Sequence, residues 1–238
     1  MRRFCIYTIL LYIFCLPVSA QTFTSSNLPI CIITTDGGVS IPDEPGVLGN
    51  LKIIYRGPGK RNYVSDQNNP AYLNYNGRID IEIRGSSSQV SPKKNYGFTT
   101  IMADNTTNNN VSLLGMPEEN DWILGGMVFD TALIRDYLCM NLSRKLGNYA
   151  SRTEYCEVMV NNDYKGLFLL EEKIKADDGR VDVLKIGTGD NTLPNISGGY
   201  ITKADKTTGG DEADWKMYSI DGSEVDYIHV LPKPENAS

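Results

Sequence analysis

The sequence predicts an α+β domain with a mostly antiparallel sheet and a few helices, and three stretches carry that prediction. Arg78 to Arg84 alternates, with Ile79, Ile81 and Ile83 on one face and Asp80, Glu82 and Arg84 on the other, as in a half-buried strand. Asp130 to Leu146 has helical spacing in Leu133, Ile134, Tyr137, Leu138, Leu142 and Leu146. Cys156 to Val160 and Gly166 to Ile174 are apolar runs around the turn residues Asn161-Asn162-Asp163, a β-hairpin signal. Strands first, then a helix, then a hairpin is the order of an α+β fold rather than of alternating βαβ units.

The elements follow along the chain. Pro29 to Thr35 is β-rich and stops at Asp36-Gly37-Gly38. Leu51 to Tyr55 is a short apolar run ended by Gly57-Pro58-Gly59. Asp104 to Asn110, all Asp, Asn and Thr, is expected at a hairpin tip. The helix is predicted to start at Asp130 as N-cap and to stop at Gly147 as C′. Gly198 to Thr202 adds one more strand, and the pattern weakens from Lys203 to Ser238.

The 238 residues, 41% hydrophobic and 22% charged, make an ordinary globular mixture. Residues 1–20 read as a secretory signal: Arg2 and Arg3, an apolar run from Phe4 to Leu16, and the small-residue site Val18-Ser19-Ala20. The domain is then 21–238, with a secreted, periplasmic or cell-envelope location and no transmembrane segment after signal removal. Loss of Arg2 and Arg3 takes the net charge from −6 to −8. Such acidity excludes nucleic acid and an anionic membrane as main partners, since both need a basic footprint. A protein substrate or partner at the cell envelope remains. The single histidine, His229, lies near the C-terminus and argues against Ser-His-Asp, Cys-His and His-rich zinc chemistry. Cys31, Cys139 and Cys156 match no metal spacing, and buried thiols with at most one bridge are expected.

Three stretches could carry chemistry. Gly57-Pro58-Gly59-Lys60-Arg61 lacks phosphate-loop spacing and a following helix, so a solvated basic turn is favoured. Arg84-Gly85-Ser86-Ser87-Ser88 followed by Pro92-Lys93-Lys94 can collect an anion: Arg84 offers a planar fork, Lys94 a point charge and the loop its amides. A flexible surface loop with ordinary charges explains it as well. Glu172, before Lys173, shares its strand face with Leu170 and Ile174 and needs a basic partner, for which Lys94 or Arg84 would serve. Structural pairing explains Glu172 about as well as catalysis does.

These residues, with others, resemble a known family. Arg84-Gly85-Ser86-Ser87-Ser88 with Pro92-Lys93-Lys94 and Tyr96 is similar to the RG-[NS]-SS…KK-x-Y signature of the CotH kinase family, named for a spore-coat protein kinase. Leu113 to Pro117, Asn120 to Leu124 and Asp130 to Arg135 resemble its LLG-P…DW-L…D-LLRN block, although Asp136 stands where the family usually has Asn. Gly166 to Leu170 with Glu172-Lys173-Ile174 is similar to its G-YLL-EKI strand, and Arg180-Val181-Asp182 and Gly198 to Ile201 with Asp205-Lys206 continue in order. The resemblance spans about residues 30–210.

It implies the N-terminal part of an atypical protein-kinase-like fold that uses ATP and Mg²⁺ or Mn²⁺ to phosphorylate proteins. It also implies a cofactor-binding set of Arg84, Lys94, Glu172 and Lys173, with Arg84 and Lys94 on phosphates and Glu172 orienting one of them. The family's catalytic and metal-binding aspartates lie beyond the Gly-Gly-Tyr strand, where Asp211, Asp214, Asp221 and Asp226 match no motif. No catalytic residue or metal ligand is therefore assigned, and the C-terminal half is expected to be missing. The expected function is an exported kinase, incomplete or inactive in this chain, or alternatively a secreted non-catalytic binding module derived from that fold.

Overall fold

A computed structural model of the chain describes residues 22–205, 207 and 212–232. The predicted signal segment, residues 1–20, lies outside them. The strands are β1 (Ser25–Ser26), β2 (Ile30–Thr35), β3 (Val47–Ile54), β4 (Asn62–Tyr63), β5 (Leu73–Arg84), β6 (Asn95–Ile101), β7 (Asp121–Gly125), β8 (Thr153–Val160), β9 (Asp163–Glu172), β10 (Ile201–Ala204), β11 (Trp215–Tyr218) and β12 (Glu224–Leu231), and one α-helix, α1 (Arg135–Lys145), precedes β8. The α+β expectation thus becomes mostly strand with one helix among the described residues.

Seven strands close a barrel in the order β2-β3-β5-β6-β7-β9-β8. Every pairing is antiparallel except β8 with β2, where Ile30 to Ile33 run beside Glu157 to Val160 in parallel. The sheet is mostly antiparallel as expected but not purely so, and the cause of the one parallel contact is parity. An odd number of strands alternating in direction cannot close a ring without one parallel contact. Closure also removes exposed edges, which an open seven-stranded sheet would carry.

Period-two alternation fills the interior. Leu51 and Ile53 of β3, Ile79 and Ile81 of β5, Tyr96 and Phe98 of β6, Trp122 and Leu124 of β7, Cys156 and Val158 of β8, and Phe168 and Leu170 of β9 form one buried cluster. Fully burying one such side chain contributes about 1.5–3 kcal/mol. Strand β2 has no polar face because it is covered on both sides. Cys31 and Ile33 point into the barrel, while Ile30 and Ile32 pack outside with Ile54 and Met159 under Phe23 and Tyr72.

The β8–β9 hairpin turns at Asn161-Asn162 with φ of 50° and 67°, the double left-handed turn that matches strand twist. Asp130 organises the helix start from further out than an N-cap. Its carboxylate accepts from the amides of Ala132, Ile134 and Arg135 at 3.0, 2.8 and 2.7 Å, and α1 begins only at Arg135. Gly147, at φ 86°, ends the helix as predicted. Most of the helix's apolar stripe faces away from the barrel. Tyr137 packs on Tyr155 of β8 with ring centroids 5.0 Å apart, and Asn141 approaches Thr153, whereas Ile134, Leu138, Leu142 and Leu146 are exposed.

Cys31 and Cys156 are buried free thiols inside the barrel, and Cys139 is free and exposed. A hydrogen bond with Cys31, together with burial, pushes the Cys156 thiol well above its ordinary value. The weakly patterned tail forms a separate antiparallel sheet, β10-β12-β11, where Trp215 stacks on Tyr227 at 5.6 Å and meets His229 edge-on at 4.9 Å.

Two substitutions separate the barrel core from the helix face. Trp122→Ala should lower stability by about 3–5 kcal/mol, the cost of an unfilled aromatic site. Leu142→Ser, on an exposed position, should change it by about 0.5 kcal/mol or less. Urea unfolding of both variants checks the pair; equal losses would place the helix stripe in the core.

Candidate functional site

Barrel alternation scatters the four residues expected to act together. Glu172 continues the inward row of Phe168 and Leu170, so its carboxylate enters the barrel where the core ends. There it pairs with Arg180 at 2.6 Å and Arg152 at 2.9 Å and accepts the Arg152 amide at 2.8 Å. Neither Lys94 nor Arg84 is its partner, contrary to the sequence expectation, because Lys94 sits toward the other end of the barrel and Arg84 points outward. The Arg180 guanidinium, wholly buried like Glu172, lies 4.7 Å from the Trp122 ring. This cluster holds the segments around residues 152 and 180 onto the barrel end. Glu172 is therefore structural, since a buried carboxylate so engaged has no lone pair directed at a ligand.

Lys94 lines the opposite mouth, where its ammonium donates to the Gln89 carbonyl at 2.5 Å. Arg84 and Lys173 do share a face, the outer surface of β5-β6-β7-β9 beside Glu82 and Asp121. Asp121 is engaged there: it accepts from Thr99 at 2.8 Å and from Lys175 at 2.9 Å.

Around Arg84 this face deepens into a groove of about 490 Å³, within the range of small-ligand sites. Its residues come from distant parts of the chain. Arg84 ends β5 and Gly85 and Ser88 follow it, Asn95 opens β6, Gly125 ends β7 and Met127 to Asp130 follow it, Arg135 and Asp136 start α1, and Glu171 lies on β9. Each is held in place by local geometry. Gly85 has φ 99°, and a Cβ there would meet the Ser88 hydroxyl at 2.2 Å. Asn95 accepts the Gly126 amide at 2.7 Å, fastening the loop after β7 to β6. A Cβ on Gly125 would lie 2.2 Å from Glu171 Oε1, so the bare backbone is what lets the Glu171 carboxylate lie flat there.

Among the described residues, Arg84 and Glu171 stand in this groove without a hydrogen-bond or ion-pair partner, as does Asp136. Among the described residues Arg84 donates no hydrogen bond and pairs with no carboxylate, and crowding lowers its pKa. Glu171 likewise makes no hydrogen bond or ion pair, and burial together with the nearby Asp136 pushes it up to about 7, against a smaller opposing effect of Arg84. A guanidinium with all its donors open and a carboxyl poised near neutrality can take an anion and a hydrogen-bond donor, respectively.

The sequence motifs single out Glu172 and not its neighbour Glu171. The signal was present in the alternation, which puts Glu171 and Lys173 opposite the apolar face that holds Glu172. Asp136 and Asn95 carry no such signal, because only the tertiary fold brings them to Arg84.

Among the described residues no three His, Cys, Asp or Glu side chains lie close enough to hold a metal ion. The tail acids have local roles. Asp214 accepts the His229 amide at 2.6 Å, Asp221 caps its own turn through the Ser223 amide at 2.9 Å, and Asp226 sits 3.7 Å from Lys216. Asp211 lies outside the described residues.

The model of the family described as CotH kinase protein matches residues 81–233, from within β5 to the end of the tail sheet. No curated protein matches the chain.

Glu171 fixes a pH dependence. Its folded pKa, near 7 against an ordinary 4.5, lets the native state hold this proton more tightly than the unfolded chain. The resulting stability is fully present below about pH 4.5 and is lost as pH rises through about 7. Glu171→Gln should remove this slope and, after allowance for the carboxyl's partial exposure, stabilise the protein at pH 8 by about 1–3 kcal/mol. Denaturant unfolding of both proteins at pH 5 and pH 8 measures it, and a variant less stable than the parent at pH 8 would contradict the placement.

Proposed function

The chain belongs to the CotH kinase family, and on that premise we propose that it takes part in ATP-dependent phosphoryl transfer to protein, with the groove around Arg84 as the nucleotide site. One observation carries the reading. Two stretches that resemble the family separately in the sequence, at 84–88 and 130–135, line a single groove, where Asn95 and Glu171 join them. Structural pairing alone gives no reason for them to meet around a guanidinium without an internal partner.

In this reading Arg84 takes the phosphates in a forked, charge-assisted contact, with Gly85 keeping the turn close enough for backbone approach. Lys173 adds positive charge farther along the same face. Glu171 and Asp136 receive hydrogen-bond donors of the ligand, such as sugar hydroxyls. Phosphoryl transfer asks the protein for positioning and electrostatics rather than covalent chemistry, so a chain without a usable histidine can serve it. ATP fits the open donors of Arg84. The divalent metal, Mg²⁺ or Mn²⁺, that would neutralise charge on the phosphates finds no complete donor set among the described residues, and no step here depends on it. Lys94 and Glu172 are left out of the nucleotide site.

Export to the cell envelope, with a protein as acceptor or partner, completes the proposal and rests on the signal-like residues 1–20. Among the described residues no helix is long and apolar enough to cross a membrane. A second reading, binding without transfer, is favoured by the local roles of Asp214, Asp221 and Asp226, which leave those carboxylates engaged within their own sheet.

Calorimetry with ATP and Mg²⁺ tests the site. Arg84→Ala should weaken binding by about 1–3 kcal/mol, the value of a charge-assisted contact, and Lys94→Ala should leave it within twofold. Absence of heat with the parent protein, or equal affinity of Arg84→Ala, would refute the groove. Labelled phosphate passing to a general protein acceptor would favour transfer, and saturable binding without incorporation would favour the module.

A further inference from the structure

The fold has a second concave site that the kinase reading does not use. At the mouth opposite the Glu172 cluster, a cavity of about 380 Å³ opens between the loop before β6 and the β8–β9 turn. Barrel mouths are a recurrent place for small-molecule sites. Its floor is the end of the core, with Ile83, Tyr96 and Phe168, and three lysines, Lys93, Lys94 and Lys165, stand around it.

The charges there do not cancel. Lys165 pairs with Asp163 at 2.6 Å. Lys93 and Lys94 have no carboxylate within ion-pairing distance among the described residues. Each is steadied by one carbonyl, that of Leu167 for Lys93 and that of Gln89 for Lys94, so each ammonium keeps two donors. The Lys93 ammonium also lies 4.5 Å from the centre of the Phe168 ring, over the apolar floor. Desolvation lowers its pKa, against smaller opposing effects of Cys156 and Glu157. In a chain of net charge −6, two such cations at the rim of an apolar cavity make a local positive field.

We propose that this mouth binds a small organic anion with an apolar body, the anionic head on Lys93 and Lys94 and the body against Ile83, Tyr96 and Phe168. The apolar floor is what favours such a ligand over a bare inorganic anion. The site is independent of the nucleotide groove, because Ile83 and Arg84 point to opposite faces of β5.

Calorimetric titration of the purified protein with octanoate, and separately with inorganic phosphate, tests the proposal. Octanoate should bind saturably and at least tenfold more tightly than phosphate. Lys94→Gln should weaken it at least fivefold, and Arg84→Ala should leave it within twofold. Lys93→Gln should act in the same direction, but since Lys93 also covers Phe168, its thermal midpoint is measured alongside. If that variant fails to fold, Lys94→Gln decides alone. Absence of saturable octanoate binding, phosphate binding as tightly as octanoate, or unchanged affinity in Lys94→Gln would overturn the proposal, and so would loss of octanoate binding in Arg84→Ala.

Discussion

Closure of the barrel by the parallel pairing of β2 with β8 is the constraint on which the rest depends. Once seven strands form a ring, every side chain on them is committed to one of two compartments. Inward residues build the core and its two ends, and outward residues meet solvent, the helix or the groove. A shift of one residue in any register would exchange these sets, and the buried row from Leu51 to Leu170 holds the register against that. The division of chemistry follows. Glu172 and Lys94 belong to the two ends of the interior, while Arg84, Glu171 and Lys173 belong to the outer face.

The two compartments treat charge differently. At the core end, Glu172 is tolerated because two guanidiniums and a backbone amide satisfy it, an arrangement that would be costly if any one partner were removed. On the outer face, Arg84 and Glu171 stand without internal partners in a groove, a state that lowers stability and is characteristic of ligand sites. Both clusters combine arginine with a glutamate, and the two glutamates, Glu171 and Glu172, are adjacent in the sequence. Only the geometry shows that one is a fastening and the other a binding surface.

Much of this was legible in the residues, and the failures have physical causes. The alternation of Arg78 to Arg84 put Arg84 on the correct face, and Asn161-Asn162 marked the hairpin turn. The need of Glu172 for a cation was also legible. Its partners were not, since Arg152 and Arg180 reach it through loops whose course depends on the closed barrel. Helical spacing located α1, but an apolar stripe alone does not say which side faces the sheet. Here Tyr137 and Asn141 make that contact, and the leucines stay exposed. Of the tail sheet only β10 was announced, by Gly198 to Thr202, while β11 and β12 are held together by stacking of Trp215 with Tyr227 and His229. Membership of the CotH kinase family was carried by ordered short motifs, and the structure adds where those motifs meet.

The central claim is that they meet around a nucleotide. The most direct measurement is a crystal structure of the protein with a non-hydrolysable ATP analogue. Phosphate density within hydrogen-bond distance of the Arg84 guanidinium, with the sugar toward Glu171 and Asp136, is the predicted result. Phosphates bound instead at Lys93 and Lys94 in the barrel mouth, with the Arg84 groove empty, would contradict it.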